Sequence, residues 1–423
     1  MSVSDTLTPP EALTVRAFRS LDELRELSTT WDELLAEYPL ATTFSSSAWL
    51  SSWWQSFGKG RQLLVLAGFD SDSRLIGLAP LSISRERYGG FPGLRVLRLM
   101  GDGSGDSDNL DLPARPRFEA GFAQAVLWYL VQQKRDWDIC QLNSMPVSSP
   151  MANALVDLLK PSWLMFEHSE RCSSIRLPET WEGYLQLLSS EDRKNLDRYT
   201  RRVQKRYSTR VYRCTRESEL PVCLDALFRL HQLRWQKAGQ PGSFGSVERC
   251  EFYQRLSCTL LDRGQLEMWV LELDGVIAAT QFAFRFGDRV FQLQEGYDPE
   301  RSSDRVGFIL RGAVIKQLIL EKARSYDFLG GVDPYKAAWG AQPGKYRNLH
   351  FARPFSLGGI ALRAVHHGSE GKQWLRDNLP GSVWNLLHKI NVGLRPGREQ
   401  QKPAGGLPRS PDHRADSTTA STG

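Results

Sequence analysis

At 423 residues the chain is longer than one hydrophobic core usually organises, and 41% hydrophobic residues, 24% charged residues and 13 Trp exclude a disordered or fibrous protein. Its 54 Lys and Arg against 48 Asp and Glu leave a net charge of +6, too mild an excess to mark a nucleic-acid binder by itself. Cys140, Cys172, Cys214, Cys223, Cys250 and Cys258 form no CxxC pair and sit near no His cluster, so neither a zinc site nor a disulfide framework is indicated.

The opening MSVSDTLTPPEALTVRAF has no basic start followed by an apolar run, and no window approaches the roughly 18 apolar residues of a membrane span. A cytoplasmic protein is expected. From there the first half alternates strand-like and helix-like pieces: LTVRAF, a helical LDELRELSTTWDELLAEY, a Trp-rich AWLSSWWQSFG, then the strands QLLVLAGF and LIGLAPLSIS. The loop GDGSGDSDN lacks the Lys of a phosphate loop and the closing Glu of a calcium loop, so a long turn is expected there. A helix FEAGFAQAVLWYLVQQ and a strand WDICQLNSM close an α/β domain over residues 1–165.

The second half, residues 171–355, starts with the strand SSIRLP and a helix around WEGYLQLLSS. In EDRKNLDRYTRRVQKRYSTRVYR, Leu196, Tyr199, Val203 and Tyr207 share one helical face, with Arg198, Arg201, Arg202, Lys205 and Arg206 on the rest. Such a basic helix is either a solvated face or a funnel for an anionic ligand or RNA. Helices LDALFRLHQLRWQKAG and 248–263 follow. The turns Asp274-Gly275 and Gly287-Asp288 then divide LEMWVLELDGVIAATQFAFRFGDRVFQLQEGYDPE into an antiparallel meander. After it come the helix FILRGAVIKQLILEKAR, the strand YDFLGG and the polar VDPYKAAWG.

That order of meander, loop, helix and strand resembles the GNAT acetyltransferase fold. At TFSSSAWLSSWW, EDRKNLDR, FRLHQLRWQKAGQPGSF, LELDGVIAATQFAF, GYDP, VGFILRGAVI and YDFLGGVDPYKAAWG, over residues 30–345, the chain is similar to the CelD-like branch of cellulose and exopolysaccharide biosynthesis and to Fem-type peptidyltransferases. The resemblance implies tandem GNAT-like α/β domains, the first degenerate, and an acyl-CoA-dependent N-acyltransferase. The acceptor would be an amino sugar, an amino acid or a cell-envelope precursor. A Fem-like transferase using aminoacyl-tRNA and an accessory protein without activity stay open. Acetyl-CoA or another acyl-CoA is the implied co-substrate, with no metal. Mainstream GNATs have a glycine-rich pyrophosphate loop; DRVGFIL offers only Gly307, with Arg305 before it and a free helix N-terminus behind.

Direct attack of an amine on a thioester needs the ammonium to lose a proton, the oxyanion to be stabilised and the thiolate to be protonated. Glu295 at the end of the meander is the first candidate base and Asp298 the second; Tyr335 or Tyr297 is the candidate donor to the thiolate, and Tyr297 also falls in the CoA-binding region. Lys336 is expected to meet a phosphate, carboxylate or carbonyl of the substrate, with Asp327 and Asp333 fixing it or the loop. Arg193, His231, Arg234 and Trp235 are expected to line the acceptor cleft. Beyond 355, a helical appendage over 356–393 is expected to dock on the core or, through residues 374–395 and the face Val383, Leu386, Leu387 and Ile390, to touch a membrane surface. The tail 394–423 has the composition of a disordered segment.

Overall fold

Fourteen residues into the chain, Thr14–Phe18 forms the first strand (β1) of a computed structural model that describes residues 13–378. The described chain divides into two compact units, one of residues 13–54, 58–169 and 346–378, the other of residues 55–57 and 170–345.

In the first unit the expected long helix is two short ones, α1 (Leu21–Arg25) and α2 (Ser28–Glu37). Ser20 caps α1 through a capping box with Glu23. The Trp-rich stretch becomes α3 (Ser47–Phe57), begun by Ser46, whose hydroxyl accepts the Trp49 N–H. Strands β2 (Arg61–Phe69), β3 (Leu75–Tyr88) and β4 (Phe91–Leu99) form a meander, followed by α4 (Glu119–Gln132), β5 (Ile139–Pro146), α5 (Pro150–Leu159) and β6 (Leu164–Arg176).

In the second unit, α6 (Trp181–Leu187) and the basic α7 (Ser190–Arg206) precede β7 (Thr209–Arg213), α8 (Leu220–Lys237) and α9 (Val247–Asp262). The meander β8 (Leu266–Leu273), β9 (Val276–Phe286) and β10 (Arg289–Tyr297) then leads to α10 (Val306–Leu320), β11 (Ser325–Gly330) and the short α11 (Pro334–Ala338). The first hairpin turns at Asp274 and Gly275 with φ of 52° and 79°, the left-handed pair that a two-residue hairpin requires. Strand order in this unit is β7-β8-β9-β10-β11-β6, with β10 and β11 parallel and the other neighbours antiparallel. Its core gathers Tyr184, Val203, Val290, Val314, Ile315, Tyr326 and Trp339. Helix α8 presses on β10 so closely that a Cβ at Gly296 would lie 2.8 Å from the His231 backbone nitrogen and 3.0 Å from the Leu227 carbonyl oxygen.

The chain then returns to the first unit. β12 (Gln342–Ala352) pairs antiparallel with β5, Tyr346 opposite Pro146 and Ala352 opposite Ile139, and α12 (Leu357–Asn378) follows. Residues 346–355, expected in the second domain, therefore belong with the first, because the open edge of β5 takes the strand. The expected contact through residues 374–395, from residue 379 onward, and the expected tail 394–423 lie outside the described residues.

Both units carry the sequence strand, strand, strand, helix, strand: β2-β3-β4-α4-β5 and β8-β9-β10-α10-β11. In each, the strand before the helix pairs in parallel with the strand after it for three residues only. In the first unit the positions beyond are taken by the GDGSGDSDN loop. Leu110 N–H donates to the Ser144 carbonyl (3.1 Å), and the Asn143 amide donates to Asp102 (3.0 Å). The loop expected to be a simple turn thus closes the gap between β4 and β5.

Candidate active site

The corresponding gap in the second unit is open. β10 and β11 are in register at Arg289 with Ser325, Val290 with Tyr326 and Phe291 with Asp327, and then part. A bulge in β10 between Gln292 and Gln294 bends that strand where it leaves its neighbour. Between them lies a cavity of about 800 Å³, walled by β10 from Gln292 to Glu295, the end of α8, the start of α10, and the aromatic rings of Phe328, Tyr335 and Trp339.

Glu295 projects into this cavity from β10 and holds two guanidiniums. Arg234 Nη1 donates to its Oε1 (3.0 Å) from α8, and Arg311 donates to Oε2 from α10. Burial by itself would raise the carboxyl, but Arg311 and Arg234 overcome that and hold it below the ordinary carboxylate range. Glu295 is therefore an anion that orders two cations. Arg311 is 5% exposed and lies 5.3 to 5.6 Å from the ring centres of Tyr335, Phe328 and Trp339. Arg234 rests against Trp235 and Tyr297 at 5.1 and 5.3 Å.

Burial, and then the charge of Glu295, push the Tyr335 phenol well above its ordinary value, so it is a hydrogen-bond donor at neutral pH. Arg305 takes the left-handed conformation (φ 56°) just before α10. Ile309 N–H is the first to bond back, to the Arg305 carbonyl at 3.0 Å, which leaves the amides of Val306, Gly307 and Phe308 without helical partners at the cavity wall. A Cβ on Gly307 would sit 3.1 Å from the Tyr297 ring, so glycine is what lets the helix end and that ring share the space.

Of the residues singled out in the sequence, Glu295, Tyr297, Tyr335, Arg234, Trp235, Arg305 and Gly307 meet on this one cavity. The others do not. Lys336, expected to reach the substrate, is 1% exposed, and its ammonium donates to the carbonyls of Phe328 (3.2 Å), Gly330 (2.6 Å) and Gly331 (3.3 Å). It ties the loop after β11 to α11. Asp333 precedes α11 with its carboxyl raised by burial against the pull of Lys336, and Asp327 braces the loop by accepting the Leu329 N–H (2.7 Å); neither lines the cavity. Asp298, the second candidate base, caps the following 3-10 turn by accepting the Glu300 N–H (2.9 Å).

His231 is buried behind the cavity. Desolvation, with Arg234 adding to it, lowers its pKa to about 3, and the neutral ring accepts from Trp235 Nε1 (2.9 Å). Its ring is bonded to Trp235 and does not line the cavity. Arg193 opens onto a separate, smaller depression with Trp181, Leu196 and Lys316.

Arg311 was not foreseen. Nothing in VGFILRGAVIKQLIL sets Arg311 apart from Lys316 on the same helix, and only the structure shows the first buried and the second exposed. The row of cations on α7 is partly answered within the unit: buried Asp304 takes Arg206 (3.1 Å) and the Tyr207 hydroxyl (3.0 Å), and Asp197 takes Arg201 (2.9 Å).

Residues 190–337, which supply most of the cavity wall, match the family model described as an acetyltransferase (GNAT) domain. They form an acyltransferase domain of the GNAT fold. Among solved structures the chain is similar to one described as FemX, at 11% identity and a TM-score of 0.54, with 82% of this chain and 99% of that one covered. It is also similar to a conserved protein of unknown function from Bacteroides thetaiotaomicron, at 15% identity and a TM-score of 0.50, covering 77% and 97%. A tandem GNAT protein from the clavulanic acid biosynthesis pathway aligns at 13% identity and a TM-score of 0.45, covering 80% and 98%. No curated protein matches the sequence. Among the described residues no group of three or more His, Cys, Asp or Glu is placed to hold a metal, and no helix is long and apolar enough to cross a membrane.

Proposed function

We propose that the second unit transfers an acyl group from acyl-CoA to an amine, with the thioester lying between β10 and β11. The observation that carries this reading is the opening where the two strands part after three residue pairs, with the unpartnered amides at the start of α10 on its wall. An extended pantetheine arm finds strand-edge hydrogen-bonding groups there, and the helix end with Arg305 offers amides, dipole and charge to phosphates. Gly307 alone serves where mainstream GNATs have several glycines, and its missing side chain keeps the helix end open.

The amine nitrogen attacks the thioester carbonyl carbon, the C–N bond forms, and the C–S bond then breaks. The Tyr335 hydroxyl donates a hydrogen bond to the charge that develops on oxygen or sulfur. Glu295, held anionic by Arg234 and Arg311, is a poor proton acceptor, so the amine's proton leaves to water and the departing thiolate takes its proton from solvent. Glu295 fixes the guanidiniums.

The acceptor we favour is an amino sugar, an amino acid or a cell-envelope precursor, the class that the CelD-like resemblance implies. A second reading, transfer from aminoacyl-tRNA, draws support from the cationic side of α7 and from the fold shared with FemX. Thermal unfolding with CoA and acetyl-CoA tests the first reading: a ligand bound only by the folded state raises the midpoint. A shift followed by acceptor-dependent thiol release supports acyl-CoA transfer. Absence of a shift at millimolar ligand, with salt-sensitive tRNA binding, moves the function to tRNA-dependent transfer; absence of both leaves an accessory protein.

A further inference from the structure

We propose that a substrate of this cavity carries a carboxylate, bound between Arg234 and Arg311. The proposal deepens the acyl-transfer reading, and its support is the charge balance of the cavity. Glu295 brings one negative charge to two guanidiniums, and arginine cannot shed its proton to remove the excess; the wall's other carboxylate, Asp192, is bonded to Ser189 at the start of its own helix, and the wall's remaining charges, Lys237 and Arg305, are cations. Among the described residues no other carboxylate pairs with either arginine.

Each arginine spends a single terminal nitrogen on Glu295, Nη1 of Arg234 and Nη2 of Arg311. The buried Nε of Arg311 makes no well-formed hydrogen bond, the buried Tyr326 hydroxyl beside that guanidinium is a neutral group, and the aromatic rings around it supply no anion. An uncompensated charge is costly at Arg311, the more deeply buried of the two, and a carboxylate presented to the two forks answers it with charge-assisted hydrogen bonds.

This subsite is distinct from the one for phosphate. Arg305 stands at the start of α10 and Arg311 lies six residues on, which at 1.5 Å per residue is about 9 Å along the helix. Phosphates at the helix end therefore leave Arg311 unanswered.

The carboxylate has two possible sources: an acceptor of amino-acid type, or an acyl chain ending in a carboxylate. Binding to the full-length protein, read by calorimetric titration and thermal unfolding, separates them. Alanine against alaninamide probes the acceptor side; succinate against succinamide and succinyl-CoA against acetyl-CoA probe the acyl side. We expect the acid member of at least one pair to bind about tenfold or more tighter than its partner lacking that carboxylate, and Arg234→Gln to abolish that preference. Arg311→Lys, which keeps the charge but loses the fork, should weaken it. Equal affinity within every pair, or no binding by any acid, overturns the proposal. CoA alone is the control for the donor reading: acid preference without CoA binding keeps the carboxylate site and removes acyl-CoA, while CoA binding without acid preference does the reverse.

Discussion

Replacing Lys336 with Ala separates a loop anchor from a residue that meets substrate. The ammonium is buried and makes three bonds to backbone carbonyls, one of them at 2.6 Å. A hydrogen bond to a charged group contributes about 1.5–3 kcal/mol net, and each buried acceptor left unpaired costs about 1–3 kcal/mol. Against this, the mutant no longer has to desolvate an ammonium, and two of the three bonds are long. A loss of about 3 kcal/mol is the expected balance. For a unit of this size each kcal/mol moves the midpoint by about 2–4 °C, so the unfolding temperature should fall by about 6–12 °C. Calorimetry reads the midpoint, and turnover is measured well below it. An unchanged midpoint together with lost turnover would refute the anchoring role and return Lys336 to the substrate.

Three further outcomes follow from the site. Glu295→Gln should lower turnover at least tenfold and destabilise the protein by about 2–4 kcal/mol, since it leaves two guanidiniums facing each other. The pH-rate profile of the residual activity should keep its acidic limb; disappearance of that limb would identify Glu295 as the base after all. Gly307→Val should weaken CoA binding about tenfold or more, because a side chain there meets the Tyr297 ring, and titration with CoA checks it. The His231 pKa, near 3 in the folded protein, lies below the usual value of about 6.5, so the unfolded chain binds the extra proton. The resulting stability is fully present above about pH 6.5 and is lost as pH falls towards 3, at up to about 1.4 kcal/mol per pH unit. Denaturant titrations at pH 7, 6 and 5 should show that slope, reduced in His231→Gln; an identical slope in the variant would remove His231 as its source.

Much of the second unit is decided by local sequence. The meander follows from β-rich runs cut by Asp274-Gly275 and Gly287-Asp288, and α10 and β11 follow from an apolar helix-length run and a short β-rich one. Residues near the meander's last strand and the start of α10 could be named because chain order alone brings Glu295, Tyr297, Arg305 and Gly307 close together. The return of β12 to β5 was not legible. It joins residues some two hundred positions apart, and nothing near residue 346 states which strand edge is open.

The same distinction governs the chemistry. Sequence supplied a carboxylate, a lysine, a histidine and several arginines without saying which face one another. Tertiary structure assigned Lys336 to three backbone carbonyls and His231 to Trp235, because a buried polar group must find a partner and these were within reach. It also placed Arg311, from an apolar helix, against Glu295 and Arg234, so that the candidate base is also the counter-ion of two cations. By itself the sequence determined the order of elements, because periodicity and turn chemistry act over a few residues. Only the tertiary structure decided which charges meet, because burial and pairing depend on what the rest of the chain brings to the same place.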